Sequence, residues 1–159
     1  METYPLPQRG QCWATPRGAL GLWTPAPALL VMALTGHGDA GFVAPIVGEL
    51  GRLSGPALQL FVDAGELSNY DSALRIELTA AFDQQRERIQ YLPVLLGSKI
   101  VAMGVTVANL ALRGLVTPFS EREAFLSALN QALRAARVTG FSTDVLTSLP
   151  RAPLASSPS

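Results

Sequence analysis

Residues 57–63 read ALQLFVD and residues 70–89 read YDSALRIELTAAFDQQRERI, and the change of period between them decides the fold. The first stretch is a continuous apolar run closed by an acid, the pattern of a central strand covered on both faces. The second places Leu74, Leu78, Ala81, Phe82, Gln85 and Ile89 on one stripe, with Arg75, Glu77, Asp83, Arg86 and Arg88 elsewhere, which predicts an amphipathic helix. A strand followed by such a helix points to a right-handed crossover and an α/β fold.

The alternation continues in both directions. Downstream, Tyr91–Leu96 (YLPVLL) predicts a strand, Lys99–Leu112 a helix apolar nearly all round, and Leu115–Phe119 a last strand that Pro118 assigns to a sheet edge. Ser120-Glu121-Arg122-Glu123 has the form of a capping box, opening a helix whose buried stripe is Phe125, Leu129, Ala132 and Leu133. Upstream, Asp39–Leu53 has helical spacing with Pro45 in its first turn, and Ala19–Trp23 and Ala28–Thr35 predict an antiparallel strand pair joined by the turn Thr24-Pro25-Ala26-Pro27. The expected order is β-β-α-β-α-β-α-β-α, a mixed, largely parallel sheet of about five strands with helices packed on it. Residues 1–11 are expected to form a flexible N-terminal segment, 12–139 the domain, and 140–159 a Pro/Ser-rich flexible tail.

Composition narrows the chemistry. The 159 residues suffice for one domain with its own core, and 12 basic side chains balance 12 acidic ones, so nothing in the summed charge favours nucleic acid. A single cysteine, Cys12, and a single histidine, His37, cannot build a Cys/His zinc site or a disulfide framework. Neither a metal nor a cofactor is expected. The apolar runs Ala26–Leu34 and Ile100–Leu112 are shorter than the roughly 20 residues of a membrane helix, and METYPLPQRGQ does not read as a secretory signal. A cytoplasmic location without a transmembrane segment is the expectation.

In parallel sheets, binding groups gather at the carboxyl ends of the strands. That edge is expected to present the loop Gly36–Asp39, then Asp63 with Glu66, then Ser98 with Lys99. Gly36-His37-Gly38-Asp39-Ala40-Gly41 matches G-x-G-x-x-G between a strand and a helix, and Asp63 follows at the distance of a ribose-binding acid. This supports a nucleotide-binding alternative using Gly36, Gly38, Gly41 and Asp63, against which Asp39 would lie beside the pyrophosphate. Ser98 reads as an N-cap and Lys99, the only lysine, as a solvated cation or an anion contact. No nucleophile with a base and an orienting partner is recognisable, so no catalytic residue and no enzymatic activity are assigned.

Three segments carry a family resemblance: LQLFVDAGELSNYDSALRIELTAAF from Leu58, YLPVLLGSKIVAMGVTVANLAL from Tyr91, and VTPFSEREAFLSAL from Val116. Together they resemble the STAS/SEC14-like group, bacterial domains related to the anti-sigma factor antagonists of sporulation. The resemblance implies a non-enzymatic regulatory domain that binds another protein or itself, or in some relatives a lipid or nucleotide. It further implies a phosphorylated serine in an Asp-Ser-Ser-Gly turn, for which this chain has Asp71-Ser72-Ala73-Leu74. Ala73 then stands at the acceptor position, which argues against the usual phosphoryl switch and leaves Ser72 as the modifiable hydroxyl. The expected binding residues are Asp63, Glu66, Tyr70, Asp71, Ser72, Ser98 and Lys99, and the expected partner is a protein or a second copy. The high apolar fraction keeps a hydrophobic-ligand or small anionic-ligand binder as a further alternative.

Overall fold

A computed structural model describes residues 1–150. Its seven strands form one sheet in sequential order: β1 (Glu2–Leu6), β2 (Gly10–Thr15), β3 (Gly18–Ala26), β4 (Leu29–Gly38), β5 (Leu58–Tyr70), β6 (Ile89–Leu96) and β7 (Val116–Phe119). The first four pair antiparallel as a meander, and β4 through β7 pair parallel. The parallel connections are α1 (Val43–Arg52), α2 (Ser72–Gln84) and α3 (Lys99–Ala111), and α4 (Arg122–Ala135) follows β7. Because each parallel strand lies beside the next, crossovers of one hand place α1, α2 and α3 on the same face. Their buried residues share a core with Leu30, Met32, Leu60 and Val62, whereas α4 packs with Val31, Ala33 and Phe61 on the other face. Strict alternation along β4 and β5 divides the two cores.

The α/β class and mixed sheet agree with the sequence reading, but the strand count of about five is too low. The two additional strands come from the N-terminus, where residues expected to be flexible pair as β1 and the start of β2. Two contacts hold this segment down. Leu6 and Cys12 are buried in the core beneath α4, and the indole Nε1 of Trp23 donates to the carbonyl of Pro7 at 3.0 Å. Gly10 is required beside that indole, since a Cβ there would overlap the ring. The prolines that made the segment read as loose lie in a sheet edge and in the short 3-10 turn Pro7–Arg9, where a missing N–H is tolerated.

Packing also extends past the expected boundary at residue 139. The 3-10 turn Thr143–Thr147 buries Val145 and Leu146, and Leu149 joins them under the sheet. The remainder of the expected tail, residues 151–159, lies outside the described residues.

Three local expectations change in detail. β5 does not end at Asp63 but runs on to Tyr70, with register shifts that set two extra residues against β4. Bulges of this kind absorb the polar stretch Glu66–Asn69 without breaking the ladder. The helix expected over residues 70–89 closes at Gln84, because the chain must turn to begin β6 at Ile89. The capping box at Ser120 is not formed: α4 starts at Arg122 with Glu121 as its N-cap and without a side-chain cap. Arg122 is engaged with Asp63 instead. Pro118 does lie in an edge strand, β7.

Candidate functional site

The carboxyl ends of β4 and β5 bring together a polar cluster that sequence reasoning assembled only in part. His37 lies near the end of β4, and Asp71 follows β5 directly, so parallel pairing sets them side by side. His37 Nε2 is 2.8 Å from Asp71 Oδ1, and the Ala40 amide donates to Asp71 Oδ2 at 2.8 Å. Arg17, from the turn between β2 and β3, places Nη2 3.0 Å from His37 Nδ1. A guanidinium can only donate, so Nδ1 accepts and Nε2 carries the proton given to Asp71. These hydrogen bonds, with that from His37 the stronger cause, hold the Asp71 carboxyl below its usual 3.8.

Both imidazole nitrogens are engaged in this cluster, Nδ1 by Arg17 and Nε2 by Asp71. The Cys12 thiol is elsewhere, buried beneath α4, and burial pushes its pKa up, away from thiolate chemistry. His37 was expected as an exposed loop residue. The signal that could have found its role is Arg17 and Asp71 at matching ends of adjoining elements, which requires knowing the strand register.

The glycine motif is also built differently from a phosphate loop. Gly36, His37 and Gly38 belong to β4, and Ala40–Phe42 is a single 3-10 turn before α1. Its leading amides are already taken, Gly41 N by Asp39 Oδ1 at 2.7 Å and Ala40 N by Asp71 Oδ2. A phosphate entering here would meet two carboxylates. Gly38 answers a packing need instead, since a Cβ would fall 2.6 Å from Leu74 Cδ2.

Asp63 does not reach this edge. It lies mid-strand in β5 on the face toward α4 and is 3% exposed. Arg122 clamps it with two bonds, Nη1 to Oδ2 at 2.7 Å and Nη2 to Oδ1 at 3.1 Å, and the Gly65 amide donates a third at 3.0 Å. Asp63 correspondingly raises the Arg122 pKa above its usual value. Gly65 leaves the space the guanidinium needs, because a Cβ there would lie 2.7 Å from Nη2. The pair ties α4 to the sheet, which removes Asp63 from both the binding set and the ribose role expected of it.

The remaining expected residues divide further. Glu66 is exposed along β5, and Ser72 is exposed at the first position of α2. Ser98 caps α3 by accepting from the Val101 amide at 3.1 Å, as expected, and Lys99 is exposed beside it. Tyr70 turns inward from the end of β5: its hydroxyl lies against Gly104, where a Cβ would overlap it. Leu74, opposite the glycine of the phosphorylation motif, is buried in the core.

The residues of α3 are apolar nearly all round, so their spacing does not tell its two sides apart, and the structure does. Val101, Gly104, Val105, Ala108 and Leu112 face the sheet and line an apolar cavity of about 120 Å³, to which α2 and β4 through β7 also contribute. Ile100, Met103, Val107 and Leu110 face outward and are 54, 69, 52 and 77% exposed. Ile76 of α2 and Val47 of α1 are exposed on the same helical layer. Among the described residues, no helix is long and apolar enough to cross a membrane. No protein-family model matches the chain, and no curated protein matches it significantly.

Proposed function

We propose that this chain is a non-enzymatic, STAS-like binding domain that acts by association, with a second copy of itself packed through the outer face of α3. The observation that carries the reading is the exposed row Ile100, Met103, Val107 and Leu110. Its spacing is that of alternating a and d positions of a heptad, with β-branched Ile100 and Val107 at one and Met103 and Leu110 at the other. That arrangement favours a two-helix contact. Residues 100–112 contain no charged side chain, so the face offers no charge pattern that would select a different partner. Equal numbers of acidic and basic residues also leave two copies without net repulsion. A twofold contact is the commonest way in which such a self-complementary patch is covered.

The edge cluster supports the non-enzymatic part, because His37 is committed on both nitrogens and Asp71 is committed to His37 and Ala40. Ala73 at the acceptor position makes association constitutive with respect to phosphorylation at that site.

Sedimentation velocity on the wild-type chain and on Val107→Asp and Leu110→Asp tests the proposal. The wild type is expected to sediment as a dimer at micromolar concentration, and both variants as monomers of 16.8 kDa with an unchanged fold by circular dichroism. A wild-type monomer throughout, or variants that remain dimeric, would overturn it.

A further inference from the structure

We propose that the cavity between α2, α3 and the sheet is a binding site for a small anion with an apolar body, of the class of short-chain fatty acids and aryl carboxylates. The inference is independent of the self-association proposed above.

The wall is almost wholly apolar, with Met32, Leu34, Val62, Phe82 and Val94 among its residues. Its volume of about 120 Å³ approaches the roughly 150 Å³ that admits a benzene-sized guest. Small residues on facing elements, Ala64 on β5 and Ala108 on α3, line the space, whereas Gly104 admits the Tyr70 hydroxyl. Larger residues at Ala64 or Ala108 would fill it, so the sequence leaves a void where ordinary packing would remove one.

One charged group gives the guest its chemistry. Tyr70 lines the cavity with its ring, its hydroxyl lying beside Gly104. Arg75 also lines it, half-buried, and its guanidinium makes no ion pair or hydrogen bond among the described residues. Since the wall itself is apolar, Arg75 contributes its methylene stem there and holds its charge at the rim. An apolar body in the cavity with a carboxylate at the rim would pair with the Arg75 cation. A neutral guest would satisfy only the void.

The test titrates the full chain with hexanoate, and with 1-hexanol as the uncharged counterpart, by isothermal titration calorimetry and by chemical-shift changes of the Ala108 and Val105 amides. Hexanoate is expected to bind in the millimolar range and about tenfold more tightly than hexanol. Ala108→Leu, which fills the cavity, should abolish binding of both, with Val105→Leu as a second filling variant should the first fail to fold. Arg75→Met should retain hexanol and lose the preference for hexanoate. Absence of binding at millimolar concentration, or binding unaffected by both filling variants, would overturn the site. Equal affinity for hexanoate and hexanol in the wild type would overturn the assignment of an anionic guest. None of these outcomes depends on the oligomeric state, so failure here and failure of the association through α3 are distinguishable.

Discussion

The two faces of the sheet each bury an apolar core, and the two cores are packed to different ends. Beneath α4 the core is aromatic and tied down: Phe61 meets Tyr91 edge-on with centroids 5.6 Å apart, and Phe125 meets both Phe61 and Phe119 at 5.9 Å. The Asp63–Arg122 pair and the buried turn Thr143–Thr147 complete that layer. Beneath α2 and α3 the core is mainly aliphatic, with Phe42 and Phe82 its buried rings, and it surrounds a cavity lined in part by the small residues Ala64 and Ala108. The outer surface of the same layer carries the exposed apolar row of α3. Rings and a fixed ion pair tie one face down, whereas the other has a cavity within and exposed aliphatic side chains outside.

The largest effect should come from breaking the face that is tied down. Phe125→Ala removes a fully buried ring from the centre of the aromatic group and is expected to cost about 3–5 kcal/mol in denaturant unfolding. Val107→Ala on the other face should stay within about 0.5 kcal/mol. Comparable losses at the two positions would erase the distinction. Next in size is Arg122→Ala, which leaves the nearly buried Asp63 carboxylate with the Gly65 amide alone. A loss of about 2 kcal/mol is expected, less than for a wholly buried pair because Arg122 is partly exposed to water. Thermal unfolding of Arg122→Ala with Asp63→Asn in a double-mutant cycle would isolate the coupling.

The sign should reverse on the cavity face. Ala108→Leu adds apolar contacts where there is space, so the melting temperature should hold or rise, by the equivalent of about 1 kcal/mol at most. A marked drop would mean that the void is smaller than the structure indicates. The smallest effect belongs to the edge cluster. Asp71 titrates below its unfolded value of 3.8, so the stability it contributes is present above that pH and is lost as pH falls through the lowered folded value. Asp71→Asn should therefore flatten the acid limb of the stability profile while leaving its shape near neutrality unchanged. A steeper acid limb in the variant would contradict the hydrogen-bond assignment to His37 and Ala40.

Much of the parallel half was legible because its period changes are long and clean. Leu58–Asp63, Tyr91–Leu96 and the stripe of α4 each bury the residues that their spacing predicts. The N-terminal strands were not, since Glu2–Leu6 is short, contains a proline, and is ordered by a distant tryptophan rather than by its own pattern. At the candidate site, Ser98 was readable because capping is local. Asp63 and His37 were misread for the opposite reason: their partners, Arg122 and Asp71, are remote in sequence and meet only through strand register. The exposed side of α3 was hidden by excess, because a helix apolar all round gives no periodic signal for which side faces the sheet.

Hydrogen–deuterium exchange of the wild-type chain over a concentration series compares the two faces in one measurement. Slowing of exchange in α3 with rising concentration, and concentration-independent exchange in α4, is the result this account predicts. Exchange in α3 that does not respond to concentration, or an equal response in α4, would contradict it.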